Sequence, residues 1–291
     1  MFRSAKSCTA LYIFIMILSG SSFLFSKVLL SDMGPFNLLG IRFLIGFVVL
    51  FFVFFRKMIR MTKKDFLYGV IIGVVYFAVM ALELNALEYS TPSMTSFLEH
   101  TAIVMVPIFE SVITKSLPQL KVIICDIITL IGIGFLSLTG DDGFSLQIGE
   151  ILCLITAVVY AVAIILTTRL SAKSEPISVG IIQIGVMGVI AMVISFFVEE
   201  PHLPQTGQQW LFLMILALLC TGVGFAMRPL SQSHMTCQMT GTLAAVNPLA
   251  ATILSVIFLG EVLTISGIIG SILIIAGIIL IYLLPDKKRK C

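Results

Sequence analysis

A chain of 291 residues that is 59% hydrophobic and 11% charged, with a mean hydropathy of +1.13, is too apolar for a water-soluble globule, in which about a quarter of the residues are charged. The net charge of +3 is small, and the basic residues sit in short links between apolar runs, so no nucleic-acid surface is present. The composition predicts an all-α polytopic membrane protein seated in the lipid bilayer.

Ten apolar runs follow one another, near 9–30, 35–55, 66–87, 92–114, 120–139, 148–169, 177–198, 208–230, 237–259 and 264–284. Each is close to the roughly 20 residues a helix needs to cross a bilayer. The first follows Arg3 and Lys6 and is longer than the core of about 7 to 15 residues in a signal peptide, so it reads as an uncleaved span. Near its middle lies Ser19-Gly20-Ser21-Ser22, small residues that permit close helix packing or leave a cavity beside the helix. The second run opens at Pro35 and carries Arg42. The third carries Glu83 and Asn85 near its outer end, where water is expected to reach them.

The fourth run holds the most unusual chemistry. After the turn signal Ser90-Thr91-Pro92 come Glu99 and His100, and then Pro107. An acid at that depth costs about 2.5 to 3.5 kcal/mol on insertion scales, so Glu99 should face protein or a water-filled cavity. Thr95, Glu99 and Glu110 share one helical face. Pro107 deprives the carbonyl of Ile103 of its helical donor, which permits a bend. In the fifth run Asp126 is within reach of Lys121 or Lys115, whose stems can snorkel toward it. The sixth offers the hydroxyl of Tyr160, and the ninth offers Thr240 and Asn247, with Pro248 following.

Lysine and arginine set the expected orientation. With the N-terminus inside, 16 of the 18 basic residues are cytoplasmic, Arg228 among them, and Lys27 and Arg42 lie within or at the ends of spans. The outer links then hold Asp32, Glu88, Asp141, Asp142, Glu199, Glu200 and Glu261. Both termini are expected in the cytoplasm, with the protein multi-pass in the cell membrane.

The two halves echo each other at an offset of 141 residues: Pro35 and Pro176, Arg42 and Gln183, Pro107 and Pro248, Gly20 and Ala161. Five spans per half is an odd number, so the second half would be inverted relative to the first. The expected architecture is therefore ten transmembrane helices as two inverted five-helix repeats, residues 1–145 and 146–291, with a site near the midplane between them and alternating access by rocking.

Several segments resemble the EamA family of the drug/metabolite transporter superfamily. They are the small residues ahead of Lys27 in the first span, Pro35 followed by Arg42-Phe43 in the second, and Asn247-Pro248, Gly260-Glu261, Gly270 and Gly277 in the last two. The family's usual tryptophan before the glycine is Ser19 here, and in the first half Thr114-Lys115-Ser116 stands where a glycine-glutamate pair would be. The resemblance implies a secondary transporter that exports, or occasionally takes up, small metabolites such as amino acids. A nucleotide-sugar or lipid-linked-sugar carrier of the same fold stays open, as do a membrane-embedded enzyme and a sensor. No zinc-protease motif, nucleophile–base pairing or P-loop occurs, so neither catalysis nor direct ATP drive is expected.

Two roles stay open for Arg42 and Glu99, which lie at similar depth and can form an ion pair: fixing helix register, or binding substrate and coupling its movement to protons. His100 points about 100° away from Glu99 and is expected to hydrogen-bond to a neighbouring helix or to meet a ligand. Ser22, Tyr160, Thr240 and Asn247 are weaker candidates for the same cavity, and Pro107 and Pro248 are candidate bending points. The six cysteines form no C-x-x-C or Cys/His cluster and read as small buried hydrophobes. No metal or cofactor is expected; the partners are a small-molecule substrate and lipid, with a homodimer left open.

Overall fold

A computed structural model describes residues 5–90, 92–115, 117, 119–137, 147–259 and 265–283. Gly260-Glu261, Asp141 and Asp142, Thr91, Ser116, Arg3 and the basic tail at 287–290 lie outside the described residues. Every regular element among the described residues is helical: α1 (Ala5–Leu29), α2 (Pro35–Val53), α3 (Phe55–Ile59), α4 (Lys63–Tyr89), α5 (Pro92–His100), α6 (Ala102–Thr114), α7 (Leu120–Ser137) and α8 (Ile148–Ser171). There follow α9 (Pro176–Val198), α10 (Gly207–Ile215), a π-helical segment (Leu216–Phe225), α11 (Ala226–Gln232), α12 (Cys237–Leu243), α13 (Val246–Leu259) and α14 (Ile265–Leu283). Among the described residues, eight helices or joined helices are long and apolar enough to cross a membrane. The protein is a multi-pass membrane protein. The remaining two long helices, α7 of 18 residues and α14 of 19, pack along each other.

The helices pack in a reciprocal scheme. α2 lies against α9, and α7 against α14. α1 packs on α13, as α8 packs on α5 and α6. α4 touches α8 and α9, as the π segment and α11 together touch α1 and the π segment touches α2. Exchanging the first five spans for the last five, in order, maps each of these contacts onto another. Small residues let the backbones approach: a Cβ on Gly20 of α1 would lie 2.6 Å from the carbonyl oxygen of Asn247 in α13. One on Gly46 of α2 would lie 2.9 Å from the carbonyl of Ala217.

The two ends of the central pair α2–α9 are tied across the chain. Proline stands at the first position of both helices, where its missing N–H costs nothing. The Glu199 carboxylate after α9 accepts from the amides of Phe36 (2.9 Å) and Asn37 (2.7 Å), and so caps α2. At the other end Asp65 of α4 accepts from the amide of Glu175 (2.9 Å), where α9 begins. That end also holds the Lys57–Glu175 ion pair at 2.8 Å.

Two spans are broken. α5 gives way to α6 at Thr101, where tight i→i−3 bonds link Thr101 N to Leu98 O (3.2 Å) and Val104 N to Thr101 O (3.1 Å). α12 gives way to α13 at Ala244 and Ala245, where Asn247 N donates to Ala244 O at 2.9 Å. The second break sits at the carbonyl that Pro248 cannot serve, four residues back. The first lies two residues before Ile103, the carbonyl that Pro107 leaves without a helical donor, so the irregularity there is not at the proline itself. A π-helix of 10 residues is a rare element, usually confined to one turn, and nothing in the apolar run signals it.

Candidate functional site

A cavity opens where segments of both halves meet. On α1 the positions i, i+3 and i+4 present Ser19, Ser22 and Phe23. On α4 the longer stripe i, i+3, i+4, i+7 presents Tyr76, Val79, Met80 and Glu83. Glu99 enters from α5, Tyr160 from α8, Phe225 from the end of the π segment, Arg228 from α11 and Asn247 from α13. The free volume is only about 20 Å³, room for a single water-sized molecule.

The expected Arg42–Glu99 ion pair does not form. Arg42 is buried and donates to Thr221 Oγ1 (3.1 Å) and Ser26 Oγ (3.3 Å), with its guanidinium 5.1 Å from the Phe43 ring centre. Thr221 sits on the π segment, which packs on α2 and holds the guanidinium away from α5. Glu99 instead faces a second acid: Glu83 of α4 lines the same cavity. Glu83 is therefore not at the water-exposed end of its span but 5% exposed, because α4 runs on to Tyr89 and carries the acid inward of the surface. Asn85 is half-buried and donates to Ala81 O, one turn back in its own helix, at 2.7 Å.

Arg228 is the second correction. It is not a cytoplasmic link residue; it is 3% exposed, because the helix continues through Pro229 to Gln232. Its guanidinium lies 4.4 Å from the ring centre of Phe225 and 5.2 Å from that of Tyr76, and donates to Ser19 Oγ at 3.0 Å. Stacking on aromatic faces suits the planar, weakly hydrated guanidinium. Two buried cations and two buried acids are thus concentrated in one region. Among the described residues neither arginine forms an ion pair.

Of the other candidates, Ser22, Tyr160 and Asn247 line the cavity. Ser22 spends its hydroxyl proton on Ser19 O (2.7 Å). His100 bonds through Nδ1 to Ser96 O of its own helix (2.7 Å), not to a neighbouring helix, and packs edge-on against Tyr160 at 5.8 Å. Thr240 is buried and donates back to Thr236 O (2.9 Å). Pro107 lies in α6 and Pro248 in α13, and neither is among the residues that line the cavity. Asp126 pairs with neither lysine; it accepts from Thr242 Oγ1 at 2.6 Å, joining α7 to α12. Cys8, Cys125, Cys153, Cys220 and Cys237 are buried free thiols.

Sequence reading missed Glu83, Tyr76 and Arg228. The first two were recoverable, since Tyr76, Val79, Met80 and Glu83 form a helical stripe. Arg228 carried one signal, Phe225 three residues before it, but its place at the end of the apolar run 208–230 made it look like a link residue.

A family model described as EamA-like transporter family matches residues 7–138 and again 147–283. An uncharacterized transporter of Archaeoglobus fulgidus is 26% identical over 269 residues, covering 92% of this chain and 83% of the relative. The uncharacterized transporter YvbV of Bacillus subtilis is 24% identical over 283 residues, covering 95% and 92%. A protein crystal structure with 18% identity superposes with a TM-score of 0.81 over 96% of this chain and 97% of its own, which shows a shared fold.

Proposed function

We propose that this chain, which belongs to the EamA-like transporter family, is a secondary carrier that moves small metabolites, amino acids or related compounds, out of the cell by alternating access. It crosses the cell membrane ten times as two inverted five-helix repeats, residues 1–145 and 146–291, with both termini cytoplasmic. Three observations support this layout: the family model matches twice in succession, the helix contacts are reciprocal under exchange of the halves, and the basic residues gather in alternate links.

The observation that carries the function is the polar cavity assembled by both halves and closed to about 20 Å³. Drug-sized ligands need roughly 300 Å³ or more, so the halves must part to admit a metabolite, and parting them at one end opens the site to one side of the membrane. Glu99, Asn247, Ser22 and Tyr160 form the substrate surface. Arg42, His100 and Thr240 support it from behind, and the breaks near Pro107 and Pro248 let the paired helices flex.

Counterflow in proteoliposomes tests the carrier. Vesicles loaded with a mixture of unlabelled metabolites should accumulate labelled external members of that mixture, and vesicles without protein should not. Absence of counterflow for every labelled member overturns the reading. Single cysteines at Gln208 and Lys63, both exposed, test the topology. In intact cells an impermeant reagent should label only Gln208→Cys, and labelling of both overturns the orientation.

A further inference from the structure

The short helix α3 carries the chain from α2 to α4, and its sequence divides its surface. Met58 is buried and packs with Ile181 and Ile182 of α9. Lys57 reaches Glu175 at 2.8 Å. Phe55 and Ile59, one turn apart, share a face and are 45% and 67% exposed. Arg56 and Arg60 share the neighbouring face, and both are exposed. Lys63 and Lys64 follow, also exposed, in the first turn of α4. Among the described residues none of these four cations forms an ion pair; Lys64 lies 5.5 Å from the ring centre of Tyr68. The nearby acids are already engaged. Asp65 is buried and accepts from the amides of Thr62 (3.2 Å) and Glu175 (2.9 Å). Glu175 accepts from Lys57 Nζ (2.8 Å) and from the amide of Ser178 (2.6 Å). Like charges one turn apart on a helix repel, and cations at a helix N-terminus oppose its dipole. An anion held among the four relieves both.

We infer that this surface binds an anionic phospholipid, its phosphate held by Arg56, Arg60, Lys63 and Lys64 and its acyl chains lying along Phe55 and Ile59. Two guanidiniums one turn apart suit phosphate, which each can meet with paired N–H donors. A basic face beside an apolar one is the pattern of a helix lying in the plane of the membrane surface. Four or more basic residues beside a membrane-spanning helix attract anionic lipid. The apolar flank decides the source of the phosphate. Phe55 and Ile59 continue the exposed apolar surface of Phe52 and Val53 at the end of α2, and free phosphate in water would gain nothing from them. Lysine and arginine gather on the cytoplasmic side of membrane proteins in general. That tendency accounts for the charge at this end, but not for two arginines on one face of a helix whose next face is phenylalanine and isoleucine. In the proposed orientation the lipid belongs to the inner leaflet. Because Met58 and Lys57 fasten α3 to α9 and to Glu175 before it, the bound lipid braces the end where α2, α4 and α9 meet.

Lipid titration tests it. The full-length protein, purified in a neutral detergent and stripped of lipid, is titrated with phosphatidylglycerol or with phosphatidylcholine of identical chains. Native mass spectrometry gives the dissociation constant of the tightest-bound lipid. Phosphatidylglycerol should bind at least about tenfold more tightly, and its advantage should shrink as salt is raised. Arg56→Gln combined with Arg60→Gln should weaken it about 30-fold. Arg56→Lys combined with Arg60→Lys should recover most of that loss, which separates charge from a folding defect. Lys63→Gln combined with Lys64→Gln, on the other element, should weaken it as well. So should Phe55→Ser combined with Ile59→Ser, which leaves every charge in place. Inorganic phosphate and glycerol 1-phosphate, at the concentration of the lipid, should not displace it. Lys287→Gln combined with Lys288→Gln, in the basic tail, should bind as the parent does. Equal binding of the two lipids, parent affinity in both glutamine variants of the surface or in the serine variant, an equal loss from the tail variant, or displacement by either free phosphate overturns the inference. No transported compound enters this measurement, so its outcome and that of counterflow are independent.

Discussion

Gly20→Ala adds one methyl group where α1 meets α13, and the structure specifies what it strikes. The new Cβ would lie 2.6 Å from the carbonyl oxygen of Asn247, 2.9 Å from Ala250 Cβ and 2.9 Å from the amide nitrogen of Ala251. Ordinary carbon contacts lie at about 3.5 to 4.0 Å, so the helices must separate by roughly 1 Å. Two of the three atoms are backbone and cannot swing aside. Overpacking of this kind costs about 1 to 3 kcal/mol, while alanine regains about 0.5 to 1 kcal/mol over glycine within a helix. The net loss is then on the order of 0.5 to 2 kcal/mol, or roughly 1 to 8 °C in melting temperature by the scaling for larger domains. Melting of the detergent-solubilised protein, followed by size-exclusion fluorescence, measures it. Gly207→Ala, which meets nothing within 4 Å, is the control and should not melt lower. Transport should also fall, because the same contact places Ser19, Ser22 and Asn247 on the cavity. If Gly20→Ala melts with or above the parent, the two helices do not touch as described.

Thr242→Val leaves the buried Asp126 Oδ1 without its 2.6 Å donor and should cost about 1 to 3 kcal/mol; a double-mutant cycle with Asp126→Leu should show coupling, and strict additivity of the two melting shifts argues against the bond. Glu199→Ala removes the cap on α2 and should cost about 1 kcal/mol, with faster hydrogen exchange at the amides of Phe36 and Asn37; unchanged exchange there defeats the assignment. At Glu175, burial pushes the carboxyl upward, but the bonds from Lys57 and the Ser178 amide prevail and hold it below the ordinary carboxylate range. Its stabilisation is therefore present at neutral pH and is lost as pH falls through the folded value, below about 4.3. The pair is close to half exposed, so solvent screening limits the effect to about 0.2 to 1 kcal/mol. Glu175→Gln should melt slightly lower at neutral pH and decline less on acidification, and an identical pH profile would count against the pair.

The apolar runs coincide with the helices because in hydrocarbon every backbone N–H and C=O must be satisfied within its own segment. Glu99 was legible for the same reason: an acid in mid-run must be hidden from lipid. Its neighbour in the cavity was not legible. Depth along the helix axis admits both Arg42 and Glu83, and only the azimuth of α4 relative to α2 decides between them. Arg228 was obscured by its position at the end of an apolar run, where a basic residue ordinarily meets water; here the helix continues through Pro229 to Gln232, after a π-helical stretch, and the cation is buried. The breaks near Pro107 and Pro248 were foreseeable in kind but not in place, because i→i−3 bonds can relieve a missing donor a turn away from the proline. Asp126 shows a related limit: a lysine on the same run is closer in sequence, yet the hydrogen bond comes from Thr242 on another helix.

The cap on α2 has a consequence for how the protein is made. Phe36 and Asn37 emerge early, but the carboxylate that satisfies their amides belongs to Glu199, which is 163 residues away from Phe36. At translation rates of about 5 to 20 residues per second, that partner arrives roughly 8 to 30 seconds later. Through that interval the first turn of α2 must rest on water and lipid headgroups at the membrane surface. The second half of the chain therefore does not simply join a finished first half. Its arrival completes a helix that was inserted long before it, which makes the tail of α9 a timer for assembly as well as a piece of the wall.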